Sequence, residues 1–272
     1  MKKLTALLLG AAMALSLTAC GTTAAVEEAA STEETAGEAA AVTTVTEGVL
    51  TMSTNAAFPP YEMTADDGSF EGIDIEVAGA IADKLGLELQ VDDMDFDAAL
   101  LAAQTGKSDM VMAGVTVTED RQTVMDFSNT YANGIQVVIV PEDSAIATID
   151  DLQGKMIGVQ RGTTGDQYCS ASVEDGGFGE ENVTRYDNGL TAVQALNNSQ
   201  VDCVVIDNAP AQEFVAANPG LKILDTEYAN EEYAIGVAKG NTQLLDAINT
   251  AIAELKADGT IQSILDKYIS AE

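Results

Sequence analysis

The chain has 272 residues and is strongly acidic, since 44 Asp and Glu residues against 12 Lys and Arg give a formal net charge of −32. This charge repels the phosphates of nucleic acids and anionic lipid headgroups, so it argues against proteins that bind either. The sequence contains no histidine, which excludes Ser-His-Asp and Cys-His nucleophile systems and histidine metal sites. It also has no GxxxxGK phosphate-binding loop. We therefore expect no metal and no cofactor.

The first nineteen residues have the features of an export signal. Two lysines follow the first methionine, Leu4–Leu17 is almost wholly apolar, and the sequence LTAC ends at Cys20. The apolar run is too short for a stable transmembrane helix, so residues 1–19 are predicted to be a signal peptide. The LTAC ending resembles a bacterial lipobox, which implies cleavage before Cys20 and a lipid (palmitate) on its sulfur. An ordinary signal peptide that is cleaved near Ala19 is the alternative.

The segment after Cys20 is dominated by Ala, Thr and Glu and has no aromatic residue up to Glu47. Such a composition cannot bury enough apolar surface to offset the entropy lost on ordering. We predict that residues 20–47 are the lipidated cysteine and a disordered acidic tether. A tether of this kind would hold a globular body at the outer face of the cell membrane, or in the periplasm of a host with two membranes.

About 225 residues remain from Gly48 onward, enough for one large or two moderate domains. A hairpin turn is predicted at Asp66–Gly68. The predicted strands are Val49–Ser53, Leu87–Val91, Asp109–Ala113, Ile135–Val140, Lys155–Gln160, Val183–Tyr186, Val201–Ile206 and Glu232–Ala238. The predicted helices are Asp74–Leu85 (ending at Gly86), Asp97–Thr105, a short helix after Thr164, Thr191–Asn197, Ala211–Ala217, Leu244–Lys256 and Thr260–Tyr268. This alternation predicts parallel sheets with helices on both faces and a ligand at the carboxyl ends of the strands.

The segment DMVMAGVTVTEDR ends in Arg121, just inside a helix start that is predicted at Thr118. A cation in the first turn of a helix opposes the helix dipole, so an anion is expected beside it. The guanidinium, the hydroxyls of Thr116 and Thr118 and nearby backbone N–H groups would together suit a carboxylate. The net negative charge does not forbid this, because an arginine in a low-dielectric cleft outweighs distant screened charges. The alternative is a surface ion pair of Arg121 with Glu119 or Asp120.

Six segments resemble, in the same order, those of the family 3 extracellular solute-binding proteins, the amino-acid receptors of ATP-driven importers. They cover nearly all of the chain after residue 48 and read GIDIEVAGAIADKL, AGVTVTEDRQTVMDFSNTY, VQRGTTGDQY, VDCVVIDNAPA, EEYAIGVAKGN and ELKADGTIQSILDKY. The resemblance implies a two-lobed α/β fold of the type II periplasmic-binding-protein kind, each lobe a central sheet flanked by helices, with two crossing strands as the hinge. Lobe 1 would comprise residues 48–131 and 231–272, and lobe 2 residues 132–230, with the ligand between them.

The resemblance also implies roles for particular residues. The residues that match those around the ligand carboxylate are Arg121, Gly114, Thr116, Thr163 and Thr164, the last two at a helix N-terminus that favours anions. The residues that match the surroundings of the ligand side chain are Asn55, Phe58, Phe96 and Gln160. Because Asn55 and Gln160 are neutral, they disfavour a dedicated lysine or arginine site and fit glutamine, cystine or another uncharged polar side chain.

The acid for the ligand ammonium departs from the expected pattern. Leu190 occupies the position that we align with this acid in many members, and Asp187 lies three residues too early. A buried ammonium needs an anionic partner, so Asp207 at the end of a predicted strand is the better candidate. A helix cap is the alternative role for Asp207.

Three residues near the predicted site have a simpler interpretation. Cys169 and Cys203 could form a disulfide in an exported domain, but two buried thiols are favoured. Arg161 could reach an acidic ligand side chain, but a solvated or inter-lobe ion pair is favoured.

The predicted function is that of a monomeric, lipid-anchored receptor that captures a free polar amino acid and presents it to the permease subunits of an ABC transporter. It would meet the membrane only through its anchor. The alternatives are a ligand sensor or surface adhesin with the same fold, and a dehydratase-type enzyme that uses a carboxylate as acid and base.

Overall fold

The computed structural model describes residues 42–269. The predicted signal peptide, the lipidation site at Cys20 and the tether up to residue 41 lie outside the described residues. Val42–Glu47, which the sequence assigns to the tether, are described and contact the globular body. The backbone N–H of Val45 donates to the carboxylate of Asp109 at 2.7 Å, and Val42 packs against the core. The ordered body therefore begins before Gly48.

Strands and helices alternate along the described residues. The strands are β1 Val49–Thr54, β2 Ala57–Phe58, β3 Glu62–Thr64, β4 Phe70–Glu71, β5 Glu88–Asp93, β6 Met110–Val111, β7 Met125–Phe127, β8 Ala132–Pro141, β9 Ile157–Gln160, β10 Val183–Tyr186, β11 Cys203–Asp207, β12 Leu221–Ile223, β13 Ala229–Tyr233 and β14 Gly236–Ala238. The α-helices are α1 Ile73–Leu85, α2 Phe96–Gln104, α3 Glu119–Val124, α4 Thr164–Ser170, α5 Gly189–Asn197, α6 Asn208–Ala217, α7 Thr242–Ala257 and α8 Thr260–Tyr268. Short 3-10 helices are Ile149–Leu152, Val173–Asp175 and Glu180–Asn182. No helix within residues 42–269 combines the length and apolarity that crossing a membrane requires.

Two mixed sheets form the body, in the orders β5-β1-β6-β14-β7 and β10-β9-β11-β8-β12, with β13 also paired to β8. β1 is parallel to β5 and β6, and β9 is parallel to β10 and β11. β14 and β8 run antiparallel to their neighbours, so the predicted parallel sheets are in fact mixed. An apolar run such as that of β8 indicates burial on both faces but not strand direction. The predicted hairpin turn at Asp66–Gly68 does join antiparallel strands, β3 and β4.

The chain passes between the two sheets twice. It leaves the first sheet after β7 and enters the second at β8, and it returns between β13 and β14. The predicted single strand Glu232–Ala238 is therefore wrong, because its first part pairs with β8 and its last part pairs with β6 and β7. Its apolar residues are buried in both sheets, so hydrophobicity alone does not reveal the change of partner. The two connections form the two-strand hinge of a two-lobed α/β fold.

The core is divided between the sheets. In the first, α1, α7 and α8 bury residues such as Ile81, Ile248 and Ile264 in one cluster. In the second, alternate residues of β8 enter clusters on opposite faces, Val137 and Ile139 on one side and Val138 and Val140 on the other. This period of two is what a strand covered by helices on both faces requires.

The two cysteines of the second sheet are free and buried, as predicted. Cys169 on α4 and Cys203 on β11 belong to the same apolar cluster. Burial raises the pKa of the Cys203 thiol to about 12 and raises the pKa of Cys169 further. Both groups therefore remain protonated and unreactive at neutral pH.

Candidate functional site

One cavity is lined by residues from both sheets. Every residue that the sequence assigned to the ligand lies in its lining, although these residues are spread over more than 150 positions of the chain. They are Asn55, Phe58, Phe96, Gly114, Thr116, Arg121, Gln160, Thr163, Thr164 and Asp207. Most of them follow the carboxyl end of a strand, which is where α/β sheets bind ligands.

Arg121 lies in the first turn of α3, but its side chain is only 7% exposed. Its guanidinium donates to the carbonyl of Thr116 at 2.8 Å and to that of Gly162, which follows β9 in the second sheet, at 3.1 Å. It also lies 5.4 Å from the centre of the Phe96 ring. The alternative of a surface ion pair with a neighbouring acid is therefore wrong.

Arg121 forms no ion pair within the described part of the chain. Burial lowers its pKa, although a guanidinium remains charged at any ordinary pH. A buried cation without a paired anion is costly. The cavity thus presents a fixed positive charge that an anionic group can neutralise.

The residues at the start of α4 form another part of the lining. Thr163 caps the helix by accepting the N–H of Asp166 at 3.3 Å, and its hydroxyl donates to the carbonyl of Gln160 at 2.8 Å. Thr164 is the first residue of the helix and is buried. Because the first N–H groups of a helix have no intrahelical acceptor, this end of α4 supports an anion beside Arg121.

Asp207 ends β11 and is 2% exposed. One carboxylate oxygen accepts a hydrogen bond from the N–H of Ala209 at 3.1 Å, so Asp207 caps α6. This is the alternative role that the sequence analysis gave to Asp207. The other oxygen accepts the N–H of Ile135 at 2.9 Å and the hydroxyl of Tyr233 at 2.6 Å. Burial raises the pKa of Asp207 to about 6, against these hydrogen bonds, which lower it. Asp207 is therefore both a helix cap and a lining residue.

Asn55 and Gln160 contact each other across the cavity. The amide of Gln160 donates to the side-chain oxygen of Asn55 at 2.9 Å, and the amide of Asn55 donates to the carbonyl of Met94 at 2.9 Å. These residues connect the end of β1 to the end of β9. Part of the hydrogen-bonding capacity of the two side chains is therefore already used within the protein.

Two donors that the sequence assigned to the ligand already have acceptors. The N–H of Gly114 donates to Asp74 at 3.0 Å, and the hydroxyl of Thr116 donates to Glu231 at 2.9 Å. Asp74 also accepts the hydroxyl of Tyr131 at 2.7 Å, next to the hinge, and burial raises its pKa to about 6. Sequence analysis did not single out either acid, because Asp74 was interpreted as the start of a helix and Glu231 lies just before the predicted strand Glu232–Ala238.

Sequence reasoning also missed the polar lining residues Glu62, Gln136, Glu231 and Tyr233. The pair Glu231–Glu232 did carry a signal, since two adjacent acids in a strand point to opposite faces and one of them must point inward. Glu231 is 5% exposed and Glu232 is exposed.

The remaining sequence candidates lie outside this cavity. Arg161 is 52% exposed and lies 3.9 Å from the exposed Asp187, so it forms the solvated pair that was expected. Leu190 is 44% exposed. Within residues 42–269 no three Cys, Asp or Glu residues are grouped to hold a metal ion.

A comparison with protein families matches residues 50–271 to the bacterial extracellular solute-binding proteins, family 3. The chain belongs to that family. The match includes both sheets and all of the cavity lining. Its members and the relatives below are binding proteins, so this solute-binding protein is not an enzyme and the dehydratase alternative is wrong.

Curated relatives and solved structures agree with the family. The L-cystine-binding protein TcyJ of Escherichia coli (strain K12) is 31% identical over 228 residues, covering 83% of this chain and 84% of TcyJ. The arginine-binding extracellular protein ArtP of Bacillus subtilis (strain 168) is 28% identical over 274 residues and covers 100% of both chains. The structure of an ancestral arginine-binding protein bound to glutamine is 40% identical, has a TM-score of 0.76, and covers 83% of this chain and 100% of its own. The two-lobed fold that the sequence predicted is thereby confirmed.

Proposed function

We propose that this solute-binding protein captures a free polar amino acid between its lobes and delivers it to the permease subunits of an ABC transporter. The observation that carries the proposal is the presence of two opposite buried charges, Arg121 and Asp207, in the lining of one cavity. An α-amino acid brings a carboxylate and an ammonium on one carbon, which such a pair complements. The names of the relatives support the ligand class, since cystine, arginine and glutamine are all amino acids.

The proposed contacts follow from the chemistry of each group. Arg121 and the start of α4 with Thr163 and Thr164 bind the ligand carboxylate, and Asp207 accepts the ammonium. Gly114 and Thr116 lie beside the carboxylate, with their donors held by Asp74 and Glu231. Phe58 and Phe96 enclose the aliphatic carbons, with Asn55 and Gln160 at the side chain. Water excluded on closure strengthens each of the charged contacts.

Closure is proposed to bring lobe 1, residues 48–131 and 231–272, against lobe 2, residues 132–230. Arg121 supports this, because its guanidinium binds the carbonyl of Gly162 in the second sheet. The second boundary falls within β13, shortly before the chain returns to the first sheet. We expect the closed form of a monomer to be what the permease recognises.

The proposed location is the outer face of the cell membrane, or the periplasm of a host with two membranes, with a lipid on Cys20 as the anchor. The lipobox-like LTAC and the charged and apolar segments before it support this location. So does the extracellular description of the family.

A thermal-shift screen of the purified protein against the twenty amino acids, cystine and ornithine tests the ligand class. A ligand at a hundred times its dissociation constant adds about 2.7 kcal/mol to the free energy of unfolding. That corresponds to an increase of about 5 °C or more in the melting temperature of a protein of this size. Unchanged melting of a folded protein with every compound would contradict the proposal.

Binding should weaken in mild acid. The pKa of Asp207 is raised to about 6, so its carboxylate is mostly ionised at pH 7 and mostly protonated at pH 5. Only the ionised form attracts an ammonium, and the charges of an α-amino acid itself do not change in this range. The affinity measured by calorimetry should therefore fall about tenfold from pH 7 to pH 5.

The variant Asp207→Asn provides the control for this pH dependence. It should bind more weakly at pH 7, and its residual affinity should vary little between pH 7 and pH 5. An equal slope in the variant and the wild type would assign the titration to another group and remove Asp207 from the ammonium site.

A further inference from the structure

The cavity lining contains buried hydrogen-bond acceptors that nothing in the protein satisfies. In the part of the chain from residue 42 to 269, the buried side-chain polar atoms without a partner are all oxygens. All but that of Thr54 belong to three lining residues, and they are both carboxylate oxygens of Glu62, the amide oxygen of Gln136 and one carboxylate oxygen of Glu231. An unmet buried acceptor is costly, so the oxygens of Gln136 and Glu231 favour a ligand that donates hydrogen bonds to them, whereas Glu62 interacts with Asp74.

Glu231 is held so that one of its oxygens remains open to the cavity. The other oxygen accepts the hydroxyl of Thr116 at 2.9 Å and the amide of Gln136 at 3.2 Å. These two bonds use both acceptor sites of that oxygen and fix the carboxylate. The open oxygen has no partner in hydrogen-bonding geometry, although the Tyr168 hydroxyl lies near the carboxylate, and Glu231 is only 5% exposed.

The charges of the lining do not balance for a neutral amino acid. Arg121 can neutralise the ligand carboxylate and Asp207 the ligand ammonium, which leaves the carboxylate of Glu231 without a counterion. Arg121 and Glu231 attract each other through space, but no ion pair joins the two side chains, and the charge of Arg121 is the one that the ligand carboxylate requires. Glu62 adds little charge, since burial and the neighbouring Asp74 carboxylate raise its pKa well above the ordinary value.

The neutral amides of Asn55 and Gln160 do not determine whether the ligand side chain is charged. Asn55 and Gln160 are bonded to each other, so part of their polar surface is already satisfied. The unmet acceptors lie on Glu231 and Gln136, and both suit N–H donors of a ligand. A side chain that carries both a positive charge and several N–H groups meets both requirements.

We propose that the cavity selects amino acids with a cationic side chain, such as arginine, lysine or ornithine, and that Glu231 determines this preference. The inference rests on the proposed function and refines its ligand class. It replaces the expectation of an uncharged side chain that Asn55 and Gln160 suggested, because the deciding acid lies in the return strand β13.

The test compares L-arginine with L-citrulline by calorimetry on the purified protein. The two ligands have almost the same shape, but citrulline carries a neutral ureido group in place of the guanidinium. A carbonyl oxygen replaces one of the two terminal NH2 groups. Wild-type protein should bind arginine at least about tenfold more tightly. In Glu231→Gln, which keeps the size of the side chain, the ratio should fall to about threefold or less.

The matched control is Glu232→Gln. It removes the same charge from the next residue of the same strand, where the side chain is exposed, and should leave the ratio of arginine to citrulline affinity unchanged. A role of Glu231 in stability alone would weaken both ligands equally and would not change this ratio. Should Glu231→Gln not fold, Glu231→Asp takes its place, since the shorter carboxylate should also reduce the ratio.

Each other outcome separates the two proposals. If citrulline or glutamine binds wild-type protein as tightly as arginine, charge selection is overturned and the proposed function stands. If arginine is preferred equally in the wild type and in the Glu231 variant, Glu231 is not the determinant. If no amino acid binds a folded protein, both the proposed function and the proposed charge selection are contradicted.

Discussion

Replacing Arg121 by alanine should reduce amino-acid affinity by about 30-fold or more while the protein remains folded. Removing one partner of a buried charge pair costs about 2–5 kcal/mol, much of it from leaving the other charge unpaired. Here the unpaired charge would be the ligand carboxylate, enclosed in a cavity. The fold should tolerate the change, because Arg121 bonds only to the carbonyls of Thr116 and Gly162 and forms no ion pair within residues 42–269.

Calorimetry with the best ligand of the thermal-shift screen measures this loss, and circular dichroism checks the fold. Arg161→Ala is the matched control, since it removes the same charge from a side chain that is 52% exposed and lies outside the cavity lining. The control should bind within about threefold of wild type, as screened surface charges contribute little. An Arg121→Ala protein with affinity within threefold of wild type would contradict the proposed binding of the ligand carboxylate by Arg121.

The largest effect on stability is expected for Gly72→Ala. Gly72 precedes α1 with φ 128° and ψ 176°, a backbone conformation that is essentially confined to glycine. An added Cβ would lie 2.3 Å from the carbonyl oxygen of Tyr61. That oxygen cannot move freely, because it accepts the N–H of Asp74 at 2.8 Å. We expect the free energy of unfolding to fall by about 3 kcal/mol.

Gly79→Ala, within the same helix, is the control for Gly72→Ala. No atom lies within 4 Å of its added Cβ, and alanine is favoured over glycine inside a helix by about 0.5–1 kcal/mol. Urea denaturation should therefore show one variant less stable than wild type and the other equal or more stable. A Gly72→Ala protein within 0.5 kcal/mol of wild type would show that the start of α1 adapts.

Several local predictions from the sequence agree with the structure because they depend on nearby residues. Helix α1 ends at Gly86 in the left-handed conformation, as its position after Leu85 predicted. Strand β10 and helix α8 have the predicted bounds. Other bounds shift by a few residues, and β6 is shorter than predicted. Strands β2, β3, β4, β7 and β12 were not predicted, since two or three residues carry too little periodicity.

The lining of the cavity was predictable as a set. The ends of strands and the first turns of helices converge in an α/β sheet, so Gly114, Thr164 and Asp207 could be placed together without coordinates. The acids that engage Gly114 and Thr116 were less predictable, since the pair Glu231–Glu232 indicates one inward acid but not which of the two. Asp74 and Glu231 each lie in a regular element, and only the packing of that element decides whether a carboxylate faces the cavity or water.

The sequence by itself determined the alternation of strands and helices, which follows from spacing, turn residues and hydrophobic period in short segments. Its six ordered segments carried the resemblance to the family and, through it, many of the residues that line the cavity. Only the tertiary structure decided the direction of β8, the break between β13 and β14, the burial of Arg121 and the inward position of Glu231. Each of these depends on which distant segment a residue contacts. Contacts between residues far apart in the sequence do not alter the local hydrophobic period, so the sequence pattern does not reveal them.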